Sequence, residues 1–169
     1  MPRRTPLSKA IPPLFLLRAG ERCPQCGEAT NAFALLASGL YDGGEDGIFD
    51  HFILLKNIKY LPKRFLAMLT EHCPGWRFDR EEPSEPACLM NHCLRCAAKL
   101  TDTHIHAEPG SAFYPTSPDD CRNISVYLLP VEIQVRVVCG WSSGGLTDWL
   151  DYDLAKSWEA LAADPSPML

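Results

Sequence analysis

Four cysteines in two short pairs carry the clearest chemistry in this sequence: Cys23-Pro24-Gln25-Cys26-Gly27 and Cys93-Leu94-Arg95-Cys96-Ala97. A thiolate is a soft, strong ligand for zinc, and a two-residue spacing lets both sulfurs of a tight turn face one ion. Two such pairs supply the whole ligand set of a tetrahedral site, Cys23, Cys26, Cys93 and Cys96. The expected cofactor is therefore one structural Zn2+, with iron as the alternative metal. Four thiolates leave no coordination position for water, so the metal is not expected to be catalytic. A glycine after the second cysteine suits the left-handed backbone that such turns often need. Gly27 fills that place in the first pair, and Ala97 departs from it in the second. Thiol redox chemistry is the weaker reading, because it calls for one CxxC at a helix N-terminus in a βαβ setting.

The two pairs resemble the zinc-ribbon class, in which knuckles on adjacent hairpins share one zinc. The resemblance covers the ten knuckle residues and their flanking strands. Residues 27–92, 66 in all, separate the pairs, a wider gap than such ribbons usually have. The resemblance implies a metal site and no particular activity, since ribbons serve transcription, translation, nucleic-acid enzymes and scaffolding alike.

Other residues suggest weaker sites. His104 and His106 lie two apart on an expected strand, hence on one face, with Glu108 close by. They form a low-grade polar site for a metal- or histidine-dependent enzyme, against the simpler reading of a solvated strand face. His92 adjoins Cys93 but is not needed as a ligand. Gly140-Trp141-Ser142-Ser143-Gly144 matches G-x-S-x-G, yet no histidine follows it as a hydrolase would require. Lys56, Lys59, Lys63 and Arg64, interleaved with Tyr60 and Phe65, form a basic run that suits a nucleic-acid or protein contact. Asp148, Asp151, Asp153, Glu159 and Asp164 make the C-terminal region acidic. Cys73 and Cys139 read as core cysteines.

The elements that must position these groups follow from patterning. Residues 1–20 read as a basic, proline-containing arm and residues 21–169 as one zinc-stabilised domain. Phe33–Leu40, Phe52 towards Tyr60, Ala87–His92, Leu100–Ala107, Ile124–Leu129 and Val131–Cys139 read as strands, the last with clean period-2 alternation. Tyr41–Asp50 is an acidic, glycine-containing loop. Pro62 opens a helix carrying Phe65, Leu66, Leu69 and Cys73 on one face, and Pro74-Gly75 closes it. Leu146, Trp149, Leu150, Leu154, Trp158 and Leu161 fall on the stripe of an amphipathic C-terminal helix. The expected fold class is α+β: a small, mostly antiparallel sheet with a zinc-ribbon element, one internal helix and a C-terminal helix.

Bulk properties limit function. A chain of 169 residues is long enough to bury its own core. The net charge of −5 argues against a general nucleic-acid binder. No apolar run reaches membrane-spanning length, and Pro12-Pro13 breaks the N-terminal apolar stretch that imitates a signal peptide. The expectation is a cytoplasmic, zinc-binding adaptor with a protein partner, and a nucleic-acid-associated ribbon or a small enzyme as alternatives.

Overall fold

A computed structural model of the chain describes residues 7–42 and 47–164. One long hairpin dominates it: β1 (Ser8–Arg22) and β2 (Ala29–Tyr41) run antiparallel along nearly their whole length. Neither strand alternates apolar with polar residues, because both faces of each are covered. Leu14 and Leu16 enter one core with Phe33, Leu35 and Ala37. Phe15, Leu17 and Ala19 enter a second core with Ala32, Ala34 and Leu36.

The arm expected over residues 1–20 is thus, from Ser8 onward, a central strand; residues 1–6 lie outside the described residues. Pro12 and Pro13 sit where the β1–β2 register shifts between Ile11 and Leu14. An irregularity of this kind is where a strand tolerates residues that have no N–H to give.

Next come β3 (Ile48–Phe49), β4 (Ile53–Tyr60), helix α1 (Lys63–His72), β5 (Arg77–Asp79), β6 (Cys88–His92) and β7 (Lys99–Leu100). Helix α2 (Asp102–Ala107), β8 (Ile124–Leu128) and β9 (Val135–Ser142) follow. The chain ends with α3 (Gly145–Trp149), β10 (Lys156–Ser157) and α4 (Glu159–Ala163). The pairings β1–β2, β2–β4, β4–β9 and β9–β1 close four strands into a small antiparallel barrel. β8 continues the sheet beyond the second half of β1, and β10 joins β8 in parallel at the edge. A separate three-stranded sheet, β5-β6-β7, carries the second cysteine pair. Strands outnumber helices and are mostly antiparallel, which agrees with the α+β expectation.

Three local expectations change. Leu100–Ala107 is not a strand: Thr101 caps a helix there, its hydroxyl accepting from the His104 N–H. The alternating segment becomes a strand only at Val135; Val131 turns back to bond Leu129 O, and Ile133 is 76% exposed. The single C-terminal helix is broken into α3, a 3-10 turn at Tyr152–Leu154, β10 and α4. Its stripe residues are divided between cores. Leu146 and Leu150 pack with Phe15 and Leu17, whereas Trp158 and Leu161 pack with Leu14 and Leu16. A straight helix cannot serve both faces of one sheet, so the chain crosses its edge at β10. Residues 43–46, the middle of the acidic loop, lie outside the described residues.

Candidate metal centre

Each cysteine pair forms the turn of a hairpin, the first between β1 and β2 and the second between β6 and β7. The two turns share one backbone design. Cys23 N–H donates to Glu28 O and Gly27 N–H to Cys23 O; Cys93 N–H donates to Ala98 O and Ala97 N–H to Cys93 O, all at 2.9 Å. Gly27 has φ +73° and Ala97 φ +59°, so both are left-handed. The departure at Ala97 alters the residue and leaves the turn intact.

Facing turns bring Cys23 Sγ within 3.6 Å of Cys96 Sγ and Cys26 Sγ within 3.7 Å of Cys93 Sγ. All four sulfurs lie within 4.8 Å of one another. A tetrahedron with metal–sulfur bonds of about 2.3 Å has edges of about 3.7 Å, so the donor set fits a four-coordinate ion. Cys23 and Cys93 are buried, Cys96 is half-buried and Cys26 exposed.

The electrostatics favour a cation. At Cys93, burial opposes ionisation, but the N–H groups of Cys96 and Arg95 together with the Cys23 and Cys26 sulfurs outweigh it and hold the thiol near 7. The backbone N–H of Ala98 favours ionisation of Cys96, yet burial and the three neighbouring sulfurs push that thiol up to about 12. Four adjacent thiolates repel one another, and a divalent ion removes that conflict.

The hairpins are docked by polar contacts that the sequence does not advertise. Buried Asn91 on β6 accepts from Phe33 N–H at 2.8 Å and donates to Phe33 O at 2.9 Å. Leu94 N–H donates to Thr30 Oγ1, and Arg95 pairs with Glu28 across the knuckle tips at 2.9 Å. His92, no ligand, is buried beside the site. Its Nδ1 faces Gly75 O at 2.9 Å and its Nε2 faces Asp79 Oδ2 at 2.8 Å, tying β6 to the α1–β5 turn and to β5. Gly75 is required at that turn: its φ is +83°, and a Cβ there would meet His92 O at 2.8 Å.

The other candidate residues are dispersed. On helix α2, His104 and His106 point to different surroundings. His104 bonds Glu108 at 2.9 Å, while His106 is buried, stacks on Phe113 and lines a cavity that His104 and Glu108 do not. Burial first, and then Lys56, hold the His106 imidazole down to about 3. Ser142 of the G-x-S-x-G segment ends β9 and lines the same cavity, without a hydrogen bond to His106. The basic run is divided too. Lys56 lines this cavity, Lys59 lines another with Glu81 and Glu85, and Lys63 and Arg64 are exposed on the first turn of α1. Cys73 is buried, and burial raises both its thiol and that of half-buried Cys139, as suits core cysteines.

No protein-family model, curated protein or solved structure matches the chain. Its own geometry provides a four-cysteine cluster able to hold a metal ion. No helix among the described residues is long and apolar enough to cross a membrane.

Proposed function

We propose that the protein is a protein-binding adaptor whose fold is clamped by one structural zinc on Cys23, Cys26, Cys93 and Cys96. The observation that carries the zinc reading is the pair of matched knuckles with sulfur–sulfur edges of 3.6 and 3.7 Å. Soft thiolates select zinc, and a complete tetrahedron closes the site to water and substrate. The ion joins the β1–β2 hairpin to the β6–β7 hairpin, 66 residues downstream, so its work is mechanical.

The adaptor reading is supported by large apolar side chains at the surface. Ile48 is 65% exposed and Trp141 41% exposed, with Phe49 packed on Trp141 at a ring distance of 4.5 Å. Tryptophan at such a surface is a common energetic centre of a protein interface.

Elemental analysis of purified protein should find one zinc per chain. Chelation should lower the melting temperature steeply, and Cys96→Ser should do the same. A metal-free protein with full thermal stability would overturn the zinc clamp. Pull-down with wild type but not with Trp141→Ala would support the surface reading; equal capture by both would count against it.

A further inference from the structure

A cavity of about 460 Å3 lies between β4, α2 and the segment that leaves β9. Three places remote in sequence furnish its polar wall: Lys56, His106 and Ser142. Leu54, Phe113 and Trp149 furnish its apolar wall. The Lys56 ammonium makes no hydrogen bond or close ion pair among the described residues, although its charge acts on Asp102 and His106, and the Ser142 hydroxyl makes no hydrogen bond. His106 is only 5% exposed, and its Nδ1 has no hydrogen-bond partner. Its Nε2 lies 3.8 Å from Asp102 Oδ1. A buried polar atom without a partner is costly, and here one, His106 Nδ1, sits beside two half-buried groups, Lys56 and Ser142, that line a cavity, which points to a ligand for them.

We infer that this cavity binds a small monocarboxylate with an apolar, ring-sized body. Its volume lies in the range of small-molecule sites. Among the described residues Lys56 is the only lysine or arginine in its wall, and the Asp102 carboxyl already shares part of its field, so the site suits one ligand charge and not two. A carboxylate on Lys56 gains a charge-assisted hydrogen bond, which is stronger than a neutral one. Ser142 and the neutral His106 supply further hydrogen bonding, and Phe113, Leu54 and Trp149 cover the body. The site is separate from the cysteine cluster and does not depend on the metal assignment.

The test is calorimetric titration of the full, metal-loaded chain with phenylacetate and indole-3-acetate, with phenylacetamide as the neutral control. At least one carboxylate should saturate a single site and quench the fluorescence of Trp149. Phenylacetamide should bind about tenfold more weakly or worse, the worth of a charged hydrogen bond. Lys56→Met should weaken carboxylate binding by about tenfold or more while circular dichroism and metal content stay unchanged. Lys56→Gln gives the same comparison if the methionine variant misfolds. Trp149→Leu should abolish the quench, which places the ligand in this cavity. The inference is overturned if neither carboxylate binds saturably in the millimolar range. It is equally overturned if the amide binds as well as the acid, or if neutralising Lys56 leaves affinity unchanged.

Discussion

Asn91 completes the backbone of Phe33: its amide accepts from Phe33 N–H at 2.8 Å and donates to Phe33 O at 2.9 Å. One side chain thereby does what a neighbouring strand would do, joining the β6–β7 hairpin to β2 just behind the cysteines. Both residues are buried, Asn91 at 2% and Phe33 at 2% exposure. Asn91→Leu keeps the size and leaves both Phe33 groups without partners and away from water. Each orphan costs about 1–3 kcal/mol, so the variant should lose about 2–6 kcal/mol of stability. Metal affinity should fall with it, because the two knuckles are no longer pre-positioned. Chemical denaturation and competition with a chromogenic chelator measure the two effects. If both are unchanged, the docking must come from apolar contacts such as Trp76 stacked on Phe33.

Gly27 and Ala97 occupy equivalent left-handed positions, at φ +73° and +59°. Only the second carries a Cβ, and that geometry costs an L-residue about 1–2 kcal/mol. Ala97→Gly should therefore stabilise the metal-loaded protein by about 0.5–1 kcal/mol, after the larger entropy of the unfolded glycine chain is deducted. Gly27→Ala should destabilise it by about 1 kcal/mol through the backbone alone, since no atom lies within 4 Å of the new Cβ. Denaturant midpoints of the two variants should move in opposite directions. Movement in the same direction would refute the equivalence of the turns.

How much of this was legible in the sequence depends on how local the cause is. The cysteine cluster was readable because a CxxC turn is fixed by five adjacent residues. Helix α1 was readable from Pro62, its apolar face and Pro74-Gly75. β1 was not, because its run of buried residues reflects cover on both faces, supplied by strands and loops far along the chain. The C-terminal stripe misled for a related reason: Leu150 and Trp158 are both buried, but on opposite sides of the sheet. In α2 the signal existed, with Thr101 as cap and Asp102 in the first turn, and the apolar–polar alternation around Ile105 obscured it. Asn91 had no signal at all, since a bond from one side chain to a backbone 58 residues away leaves no local pattern. Lys56, His106 and Ser142 belong to three separate local patterns, and only the fold brings them to one cavity.

Asp79 should make part of the stability acid-sensitive. A hydrogen bond from His92, helped by the Arg80 N–H, lowers its carboxyl from 3.8 to about 2. The folded state thus binds its proton less readily than the unfolded state. The stabilisation is complete above the unfolded value, fades as pH falls from about 4 towards 2, and is absent below that range. Asp79→Asn should be less stable than wild type at neutral pH, and the gap should close across that acid window. Loss of metal in acid affects both proteins, so the informative quantity is their difference in unfolding free energy at each pH. A difference that stays constant down to pH 2 would exclude this role for Asp79.

Arg18 is the most unusual charge in the fold, with 1% of its side chain exposed in the middle of β1. Its Nη2 pairs with Asp164 Oδ2 at 2.7 Å, its Nη1 donates to the Asp164 carbonyl, and its guanidinium lies 5.7 Å from the Tyr127 ring centre. The pair ties the residue after α4 to the central strand. Breaking a buried pair costs about 3–5 kcal/mol because it strands a charge, whereas replacing the charge by an apolar group of similar size is often neutral. Asp164 is 42% exposed and its carbonyl bond survives truncation, which reduces the effect. Asp164→Ala should therefore cost about 2 kcal/mol, and Arg18→Met within about 1 kcal/mol of nothing. The double variant should be more stable than Asp164→Ala alone, since no guanidinium is left to strand. Thermal denaturation of the three variants decides the matter. If Arg18→Met proves as damaging as Asp164→Ala, the buried charge itself is a net stabiliser, and its stacking over Tyr127 outweighs its desolvation.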